Sequence, residues 1–293
     1  MIIGIDIRVL GGTVKSGIEE YTESLLAYML SLDSSIKFKL FYSSYQNKLP
    51  DYDWLGLPNV ELKKFSIPTK ALFVSSYIFN SPKIDTLIGG ADVFFSPHFL
   101  LAPLSSKCKR VTTFHDLSYI YFPEFFSWQG NFWHKIGMKP WKQSKFADKI
   151  IAVSDSTKKD LVSVYDLDPA KIKVIYSGVS EGMSRPNEEL LKEFRIKNNL
   201  PEKFILYLGK LEPRKNIVNL IRVFNEIGKS DPHMHLIIVG ARGWLYGDIF
   251  EEVRSSSFKN RIIFKDFVED SQRPYYYSLA SIFLYPSFFE GFG

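Results

Sequence analysis

The feature that most constrains the fold is a regular alternation of short apolar runs with helix-like segments along the chain. The apolar runs occupy residues 2–10, 38–44, 91–97, 110–116, 148–155 and 171–178. Between the first two runs, residues 18–32 place apolar side chains on one face of a helix. Short apolar runs with polar or proline borders are typical of parallel strands that are buried on both faces. The alternation therefore predicts an α/β fold built on a parallel sheet.

A break in the alternation occurs at residues 181–189, EGMSRPNEE, which we interpret as a linker because they carry charge, Gly and Pro without an apolar period. Beyond the break, apolar runs return at residues 204–210, 235–241, 261–267 and 281–287. Two successive series of predicted strands and helices indicate two Rossmann-like, doubly wound domains, at residues 1–180 and 181–293. Ligands of such sheets bind beyond the carboxyl ends of the strands.

Composition and charge limit the compartment and the partners. A single cysteine, Cys108, excludes an internal disulfide framework and fits a reducing compartment. Residues 1–12 carry charge too early for a signal peptide, and no apolar run reaches the roughly 20 residues that span a bilayer. We therefore expect a cytoplasmic protein. The formal charge of +5 favours anionic partners such as phosphates or acidic lipid surfaces, and no motif supports binding of nucleic acid.

The first predicted loop carries glycines just before a helix. In GGTVKSGIEEYTESLL, residues 11–26, Gly12 and Gly17 allow a ligand to approach the backbone, and N–H groups at a helix start favour an anion. The spacing does not match the GxGxxG fingerprint of dinucleotide-binding proteins. A loop that only turns the chain is an equally open interpretation.

Two histidines follow predicted strands. His115, in FHDL, is suited to proton transfer or to a hydrogen bond with a sugar hydroxyl near neutral pH, and Asp116 stands beside it. The alternative is that Asp116 caps the next segment while His115 packs against it. His98, in SPHF, either lines the same site or is a plain loop histidine.

A basic loop follows the first strand of the second series. In LGKLEPRKNIVNLI, Arg214 and Lys215 stand near a helix start, and Lys210 adds a third positive charge. Cations beside a helix N-terminus predict a phosphate site. The alternative is a solvated run of charge. Gly240, in the turn VGARGW, is predicted to border the same ligand.

The last apolar run is followed by PSFFEGFG. The carboxylate of Glu290 can accept two hydrogen bonds from neighbouring hydroxyls of a sugar, and Gly291 lets the backbone approach a ligand. The alternative is a glutamate that caps a helix. No cluster of His and Cys has the spacing of metal ligands, and the D-x-D of Asp166 and Asp168 is predicted to be a surface turn, so we predict neither a metal nor a cofactor.

Together these segments resemble the group 1 family of glycosyltransferases, which have the two-domain GT-B fold. The matching pieces are GGTVKSGIEEYTESLL, SPHFLLAP, TTFHDLSYIYFPEFF, IIAVSDSTKKDL, KIKVIYSGV, YLGKLEPRKNIVNLI, LIIVGARGW and YPSFFEGFG. Their order and spacing extend over nearly the whole chain. The resemblance implies retaining transfer of a sugar from a nucleoside diphosphate sugar without a metal. It also implies an acceptor-side N-terminal domain and a nucleotide-sugar-binding C-terminal domain.

The resemblance also implies roles for individual residues. Arg214 and Lys215 would hold the donor diphosphate with help from the Gly11–Gly17 loop, and His115 would lie beside the transferred sugar. Glu290 matches the first glutamate of the E-x7-E motif, which contacts the donor sugar. The second glutamate would lie past residue 293, so we expect a fragment with an incomplete second domain. The alternative is a non-catalytic or inactive truncated protein that binds a nucleotide sugar.

Donor and acceptor are predicted less directly. EPRKN, FHDLSY and SPHF resemble members that use GDP-mannose to build polysaccharide or O-antigen chains, so we expect mannose to pass to a saccharide or lipid-linked acceptor. Residues 119–145 interleave aromatics, Trp128, Trp133 and Trp141 among them, with lysines. We favour core packing for most of these rings. The alternatives are an acceptor-binding face and peripheral contact with the inner face of the cell membrane.

Overall fold

The computed structural model describes residues 1–11, 16–45, 48–179 and 182–292. The chain divides into two compact units. Unit 1 comprises Met1–Ile120, Asn131–Ser177 and Gly291–Gly293, and unit 2 comprises Tyr121–Gly130 and Gly178–Glu290. The predicted domain boundary at residues 180 and 181 lies outside the described residues and stays a prediction.

Unit 1 is built on a parallel sheet. Its strands are β1 (Ile2–Asp6), β2 (Lys37–Ser43), β3 (Val60–Phe65), β4 (Val93–Ser96), β5 (Lys109–Phe114), β6 (Lys149–Ala152) and β7 (Ile172–Val174). The helices up to Tyr165 are α1 (Gly17–Met29), α2 (Thr69–Phe79), α3 (Ile84–Leu87), α4 (Ser118–Tyr121), α5 (Trp128–Phe132), α6 (Pro140–Phe146) and α7 (Asp155–Tyr165), with a π-helix at Trp133–Gly137. The strand order is β3-β2-β1-β4-β5-β6-β7, so the order changes direction between β1 and β4.

Unit 2 contains a smaller parallel sheet. Its strands are β8 (Phe204–Leu208), β9 (His235–Val239), β10 (Ile262–Lys265) and β11 (Ile282–Phe283). Its remaining helices are α8 (Glu188–Lys197), α9 (Ile217–Ser230), α10 (Gly247–Ser255) and α11 (Arg273–Leu279). The strand order is β10-β9-β8-β11, so the change of direction falls between β8 and β11.

The central strands of both sheets are buried on both faces, as the apolar runs predicted. In β2, Phe38 and Leu40 join the core beneath α1, whereas Phe41, the next position, joins the core beneath α2 and α3. In β8, Ile205 packs with α9, whereas Leu206 packs with α11 on the other face. Successive strand residues point to opposite faces, so each strand needs apolar side chains at nearly every position. The prediction of two doubly wound, Rossmann-like α/β units is confirmed.

Side-chain caps set where two helices of unit 1 begin. The Ser16 hydroxyl accepts a hydrogen bond from the Glu19 N–H at 3.4 Å, and the Glu19 carboxylate accepts one from the Ser16 N–H at 2.7 Å. This reciprocal capping box starts α1. Ser154 starts α7 by accepting from the Thr157 N–H at 3.1 Å, and Ser is one of the preferred residues at this position.

Three expectations differ from the structure. The first strand ends at Asp6 rather than residue 10, because the Asp6 carboxylate accepts hydrogen bonds from the Arg8 backbone and guanidinium and holds a short 3-10 turn. Strand β3 was not predicted, since it is an edge strand with exposed charged residues. The prediction that most aromatic rings of residues 119–145 pack in the core is wrong for Trp128, Trp133 and Trp141. Their side chains are 75%, 39% and 50% exposed.

Within the described residues, no helix is long and apolar enough to cross a bilayer.

The core of unit 2 should be sensitive to loss of a large side chain. Phe224 on α9 is fully buried against β8 and β9, so Phe224→Ala is expected to lower the free energy of unfolding by about 3–5 kcal/mol. Val223→Ala is the matched control, because Val223 on the same helix is half-exposed. Urea unfolding followed by circular dichroism measures both. Equal effects of the two substitutions would contradict the packing described.

Candidate functional site

In unit 2, the residues predicted to bind a phosphate lie where the strand order changes direction. Because β8 and β11 are paired in parallel, the segments that follow them leave the same edge of the sheet side by side. Arg214 and Lys215 belong to the segment after β8, and Glu290 belongs to the segment after β11. Doubly wound sheets bind their ligands at such points.

The shape of the loop after β8 follows from its own sequence. Pro213 begins a single 3-10 turn that ends at Lys215. Asn216 then takes the left-handed backbone conformation, with φ of 59°, and α9 begins directly after it. Asn adopts this conformation more readily than most residues. The turn therefore places two consecutive cations immediately before a helix of fourteen residues.

Two hydrogen bonds hold this loop against the segment that follows β11. The Asn216 side-chain amide donates to the carbonyl oxygen of Pro286 at 3.0 Å. The Phe288 N–H donates to the carbonyl oxygen of Arg214, also at 3.0 Å. The backbone beside Glu290 is thus fixed relative to the basic loop.

Lys215 lies almost out of water. Its side chain is 9% exposed, and its ammonium lies 2.6 Å from Glu290 Oε1 and donates to the Tyr285 hydroxyl at 2.5 Å. The ammonium also lies 4.8 Å from the centre of the Tyr285 ring. A buried ammonium needs such partners, because the desolvation of an isolated charge is costly.

Arg214 connects two carboxylates. One terminal nitrogen lies 2.9 Å from Glu290 Oε2 and donates to the Phe289 carbonyl oxygen at 2.8 Å, and the other lies 2.9 Å from Glu212 Oε1. The two oxygens of Glu290 therefore engage both cations. The structure brings Arg214, Lys215 and Glu290 together as one ionic cluster. Their roles toward a donor stay predictions.

Two members of this cluster were missed by the sequence analysis. Glu212 is 2% exposed; burial raises its pKa, while the neighbouring charges of Arg214 and Lys215 oppose the rise. Tyr285 supplies the hydroxyl that Lys215 contacts. The spacing of Glu212 two residues before Arg214 was a usable signal, whereas Tyr285 reads in sequence as one more apolar residue of the last strand.

The predicted neighbours Lys210 and Gly240 lie at the same sheet edge. Gly240 directly follows β9 and has φ of 147°, and a Cβ there would clash with the carbonyl oxygen of Gly209. The close approach of these two backbones accounts for the glycine without a ligand. Lys210 is half-buried, and its ammonium lies 5.8 Å from the ring centre of Trp244. Their contact with a ligand stays a prediction.

In unit 1, His115 and His98 lie close together after β5 and β4. Their ring centres are 5.9 Å apart, and Tyr21 meets the His115 ring edge-on at 4.9 Å. His115 Nε2 lies 2.8 Å from the Pro97 carbonyl oxygen, which can only accept, so Nε2 carries the proton and Nδ1 is left as an acceptor. His98 Nδ1 is buried and has no hydrogen-bond partner among the described residues.

Burial keeps both imidazoles neutral near neutral pH. Burial lowers the pKa of His115, and the hydrogen bond to Pro97 only partly opposes this. Burial lowers the pKa of His98 well below its ordinary value, and the nearby His115 and His134 lower it further. A neutral imidazole suits hydrogen bonding to a sugar hydroxyl better than the binding of an anion.

Asp116 and Gly291 have structural contacts in unit 1. The Asp116 carboxylate accepts hydrogen bonds from the Ser118 N–H at 3.1 Å and hydroxyl at 2.8 Å, at the start of α4, as the capping interpretation expected. Gly291 packs so closely on the His115 backbone that a Cβ would clash with its carbonyl oxygen. The Gly291 carbonyl oxygen accepts from the Thr157 hydroxyl at 3.2 Å. Glycine is needed at 291 for this packing.

The predicted phosphate contacts of the first loop are not settled by the fold. Gly12 lies outside the described residues. Gly17 is the first residue of α1, and a Cβ there would meet no atom within 4 Å, so packing does not require glycine. Among the described residues, no three or more His, Cys, Asp or Glu side chains are grouped to hold a metal ion.

The buried histidines predict a pH dependence of stability. Because the pKa of His98 is lowered on folding, the unfolded chain binds a proton that the folded chain excludes. Stability should therefore be highest above about pH 6.5 and be lost as the pH falls through that value. His98→Gln is expected to flatten this loss between about pH 7.5 and about pH 5, measured by urea unfolding.

His233→Gln is the control for this experiment, because His233 is exposed. It should keep the pH dependence of the unsubstituted protein. If His98→Gln also keeps it, His98 is not buried as a neutral group.

Comparisons with known proteins agree with this architecture. The O-antigen chain mannosyltransferase B of Escherichia coli is 28% identical over 203 residues, which cover 69% of this chain and 52% of that protein. The chain spans about half or less of the length of curated relatives that it matches. Sucrose-phosphate synthase of Thermosynechococcus elongatus has a TM-score of 0.70 at 18% identity and covers 100% of this chain and 77% of its own.

A further solved structure, HepE of Anabaena in complex with UDP-glucose, has a TM-score of 0.64 at 17% identity and covers 98% of this chain and 74% of its own. At such identities the likeness shows the fold alone. The sequence model of Glycosyltransferase Family 4 matches residues 15–181, more than half of the chain, and that of Glycosyl transferases group 1 matches residues 190–293. The chain therefore belongs to the group 1 glycosyltransferases of the GT-B fold, as its motifs predicted.

Proposed function

We propose that this protein transfers a hexose, mannose, from a nucleoside diphosphate sugar to a saccharide or lipid-linked acceptor in the synthesis of a cell-surface polysaccharide. The anomeric configuration of the sugar is retained in the proposed reaction, and no metal takes part. The observation that carries the proposal is the cluster of Arg214, Lys215 and Glu290 at the change in strand order of unit 2.

The donor diphosphate is proposed to bind the two cations of this cluster. Arg214 and Lys215 are the first cations before α9, whose N-terminal N–H groups add to the positive potential. In the structure, the two carboxylate oxygens of Glu290 form ion pairs with Arg214 and Lys215. A diphosphate brings oxygens of the same kind and can replace the Glu290 carboxylate there. The released carboxylate can then accept hydrogen bonds from hydroxyls of the donor sugar.

Stabilisation of the leaving group is the main catalytic contribution in this proposal. When the sugar leaves, negative charge develops on the diphosphate, and cations that are already held in place meet it without reorganisation. The contacts with Tyr285 and Glu212 restrict the positions of both cations. His115, neutral and with Nδ1 as an acceptor, is proposed to hydrogen-bond a hydroxyl of the transferred sugar.

The identity of the donor is supported by relatives rather than by geometry. The O-antigen chain mannosyltransferases of Escherichia coli and Salmonella typhimurium are 28% and 29% identical over the matched regions. We therefore propose mannose, with GDP as its carrier. The structural neighbour with bound UDP-glucose is similar in fold only. A cytoplasmic location stays a prediction.

A donor panel tests the proposal. The purified chain is incubated with GDP-mannose, UDP-glucose or UDP-galactose and a set of mannose-terminated oligosaccharides, and products are identified by mass spectrometry. The expected result is elongation by mannose from GDP-mannose. Calorimetric binding of GDP-mannose without transfer would support a non-catalytic nucleotide-sugar-binding protein instead. Absence of both binding and transfer would reject the proposed function.

Removal of one cation should reduce turnover far more than stability. In an active form of the protein, Lys215→Ala is expected to lower kcat about 100- to 1000-fold, because a preorganised charge is lost from the leaving group. Lys229→Ala is the matched control, since Lys229 is exposed in the last turn of α9 and pairs only with Glu226 among the contacts described. Near-normal turnover of Lys215→Ala in steady-state kinetics would refute its role.

A further inference from the structure

Unit 1 exposes large apolar side chains on neighbouring elements. On α2, Ile78 and Phe79 are 62% and 72% exposed, and on α6, Phe146 is 66% exposed. A monomeric protein seldom leaves so many large apolar groups in water without a partner. The surface, which we call the basic apolar surface, consists of Val74, Ile78, Phe79, Phe132, Trp133, Ile136, Trp141 and Phe146 together with Lys135, Lys139, Lys142 and Lys145.

Direct contacts join the two halves of this surface. The ring centre of Phe73 on α2 lies 4.5 Å from the ring centre of Trp133 in the π-helix. The Lys139 ammonium donates to the Tyr77 carbonyl oxygen at 3.1 Å and lies 3.4 Å from the Tyr77 ring centre. The Lys142 ammonium lies 5.6 Å from the Phe146 ring centre. Apolar and basic groups are therefore interleaved on one packed face.

The charge of this surface has one sign. Residues 69–79 and 132–146, which carry the side chains of this surface, contain five lysines and no Asp or Glu, and Asp148 is the first acidic residue after them. Exposed aromatic and aliphatic side chains among lysines are typical of proteins that lie in the interface of a membrane. A lysine close to an anionic bilayer strengthens binding by about fivefold. The charge therefore complements an acidic lipid surface.

A cavity of about 420 Å³ lies within the same face. Its lining includes Ile78, Lys139, Lys142 and Phe146 of the basic apolar surface, together with Gln143, Arg110 and one carboxylate, that of Asp148. Gln143 is only 6% exposed, and its Oε1 is buried without a hydrogen-bond partner among the described residues. The ammonium groups of Lys139 and Lys142 at this cavity can contact the phosphate of a phospholipid headgroup, such as that of phosphatidylglycerol.

We propose that the basic apolar surface docks unit 1 on an anionic lipid bilayer and that the cavity takes one phospholipid headgroup. The apolar rings enter the boundary between headgroups and acyl chains, and the lysines contact lipid phosphates. Docking does not require the sugar-transfer reaction, so it can be measured in a chain that shows no activity.

Vesicle co-sedimentation of the full chain tests the docking. The chain is expected to sediment with vesicles of phosphatidylglycerol and phosphatidylcholine, less so at high salt, and not with vesicles of phosphatidylcholine alone. Phe79→Ser with Phe146→Ser should weaken binding at least about tenfold, because two rings no longer enter the bilayer. Ile196→Ser with Val223→Ser, at exposed apolar positions of unit 2, is the matched control and should bind normally.

Charge is tested separately from apolar contact. Lys142→Gln with Lys145→Gln is expected to weaken binding to the anionic vesicles about 25-fold. The control, Lys192→Gln with Lys197→Gln on the exposed side of α8, loses the same charge elsewhere and should change binding little. If both pairs weaken binding equally, the attraction is a property of the net charge and the proposed surface is wrong.

Two further outcomes would overturn the docking proposal. One is equal binding of the chain to neutral and anionic vesicles, or no binding to either. The other is a dimer in sedimentation velocity without lipid that Phe79→Ser converts to a monomer, since a second copy of the chain would then cover the surface. Circular dichroism of each variant checks that the substitutions at exposed positions leave the fold intact.

Discussion

The burial of two adjacent cations in unit 2 is the constraint on which the candidate site depends. Lys215 and Arg214 are 9% and 12% exposed at their side chains, and each would be costly without a negative partner. Glu290 forms an ion pair with each of the two cations, and Glu212 forms a second ion pair with Arg214. Removal of Glu290 would take the shared carboxylate from both cations, and loss of one partner from a buried pair commonly costs about 3–5 kcal/mol. These side chains are therefore interdependent.

The fold brings these charged side chains together because parallel strands carry distant segments of the chain to one edge of the sheet. Lys215 and Glu290 are 75 residues apart in sequence, but they follow β8 and β11, which are direct neighbours in the sheet. Cores on both faces fix those strands, and Asn216 and Phe288 hydrogen-bond the two loops together. The apolar runs thus position the ionic cluster as much as its own contacts do.

Much of this could be predicted from sequence, and the remainder has physical reasons. Strands buried on both faces and capped helices such as α7 leave strong local patterns, so their types were predicted well. The exposed edge strand β3 leaves a weak pattern. The resemblance to group 1 glycosyltransferases predicted that Arg214, Lys215 and Glu290 belong to one donor site. Their mutual ion pairs depend on the pairing of β8 with β11, which no local sequence pattern encodes. The exposure of Trp133 and Trp141 likewise depends on which elements pack against them in the fold, and the local sequence does not specify this.

We propose that the cations of unit 2 form a diphosphate site, and calorimetry with guanosine, GMP and GDP distinguishes this role from a purely structural one. A charge-assisted hydrogen bond contributes more than a neutral one, so each phosphate that reaches Arg214 or Lys215 should raise affinity clearly. GDP is expected to bind at least about tenfold more tightly than GMP. Equal affinities for the three ligands would contradict it, because the base and ribose would then carry the binding and the buried cations would serve only the fold.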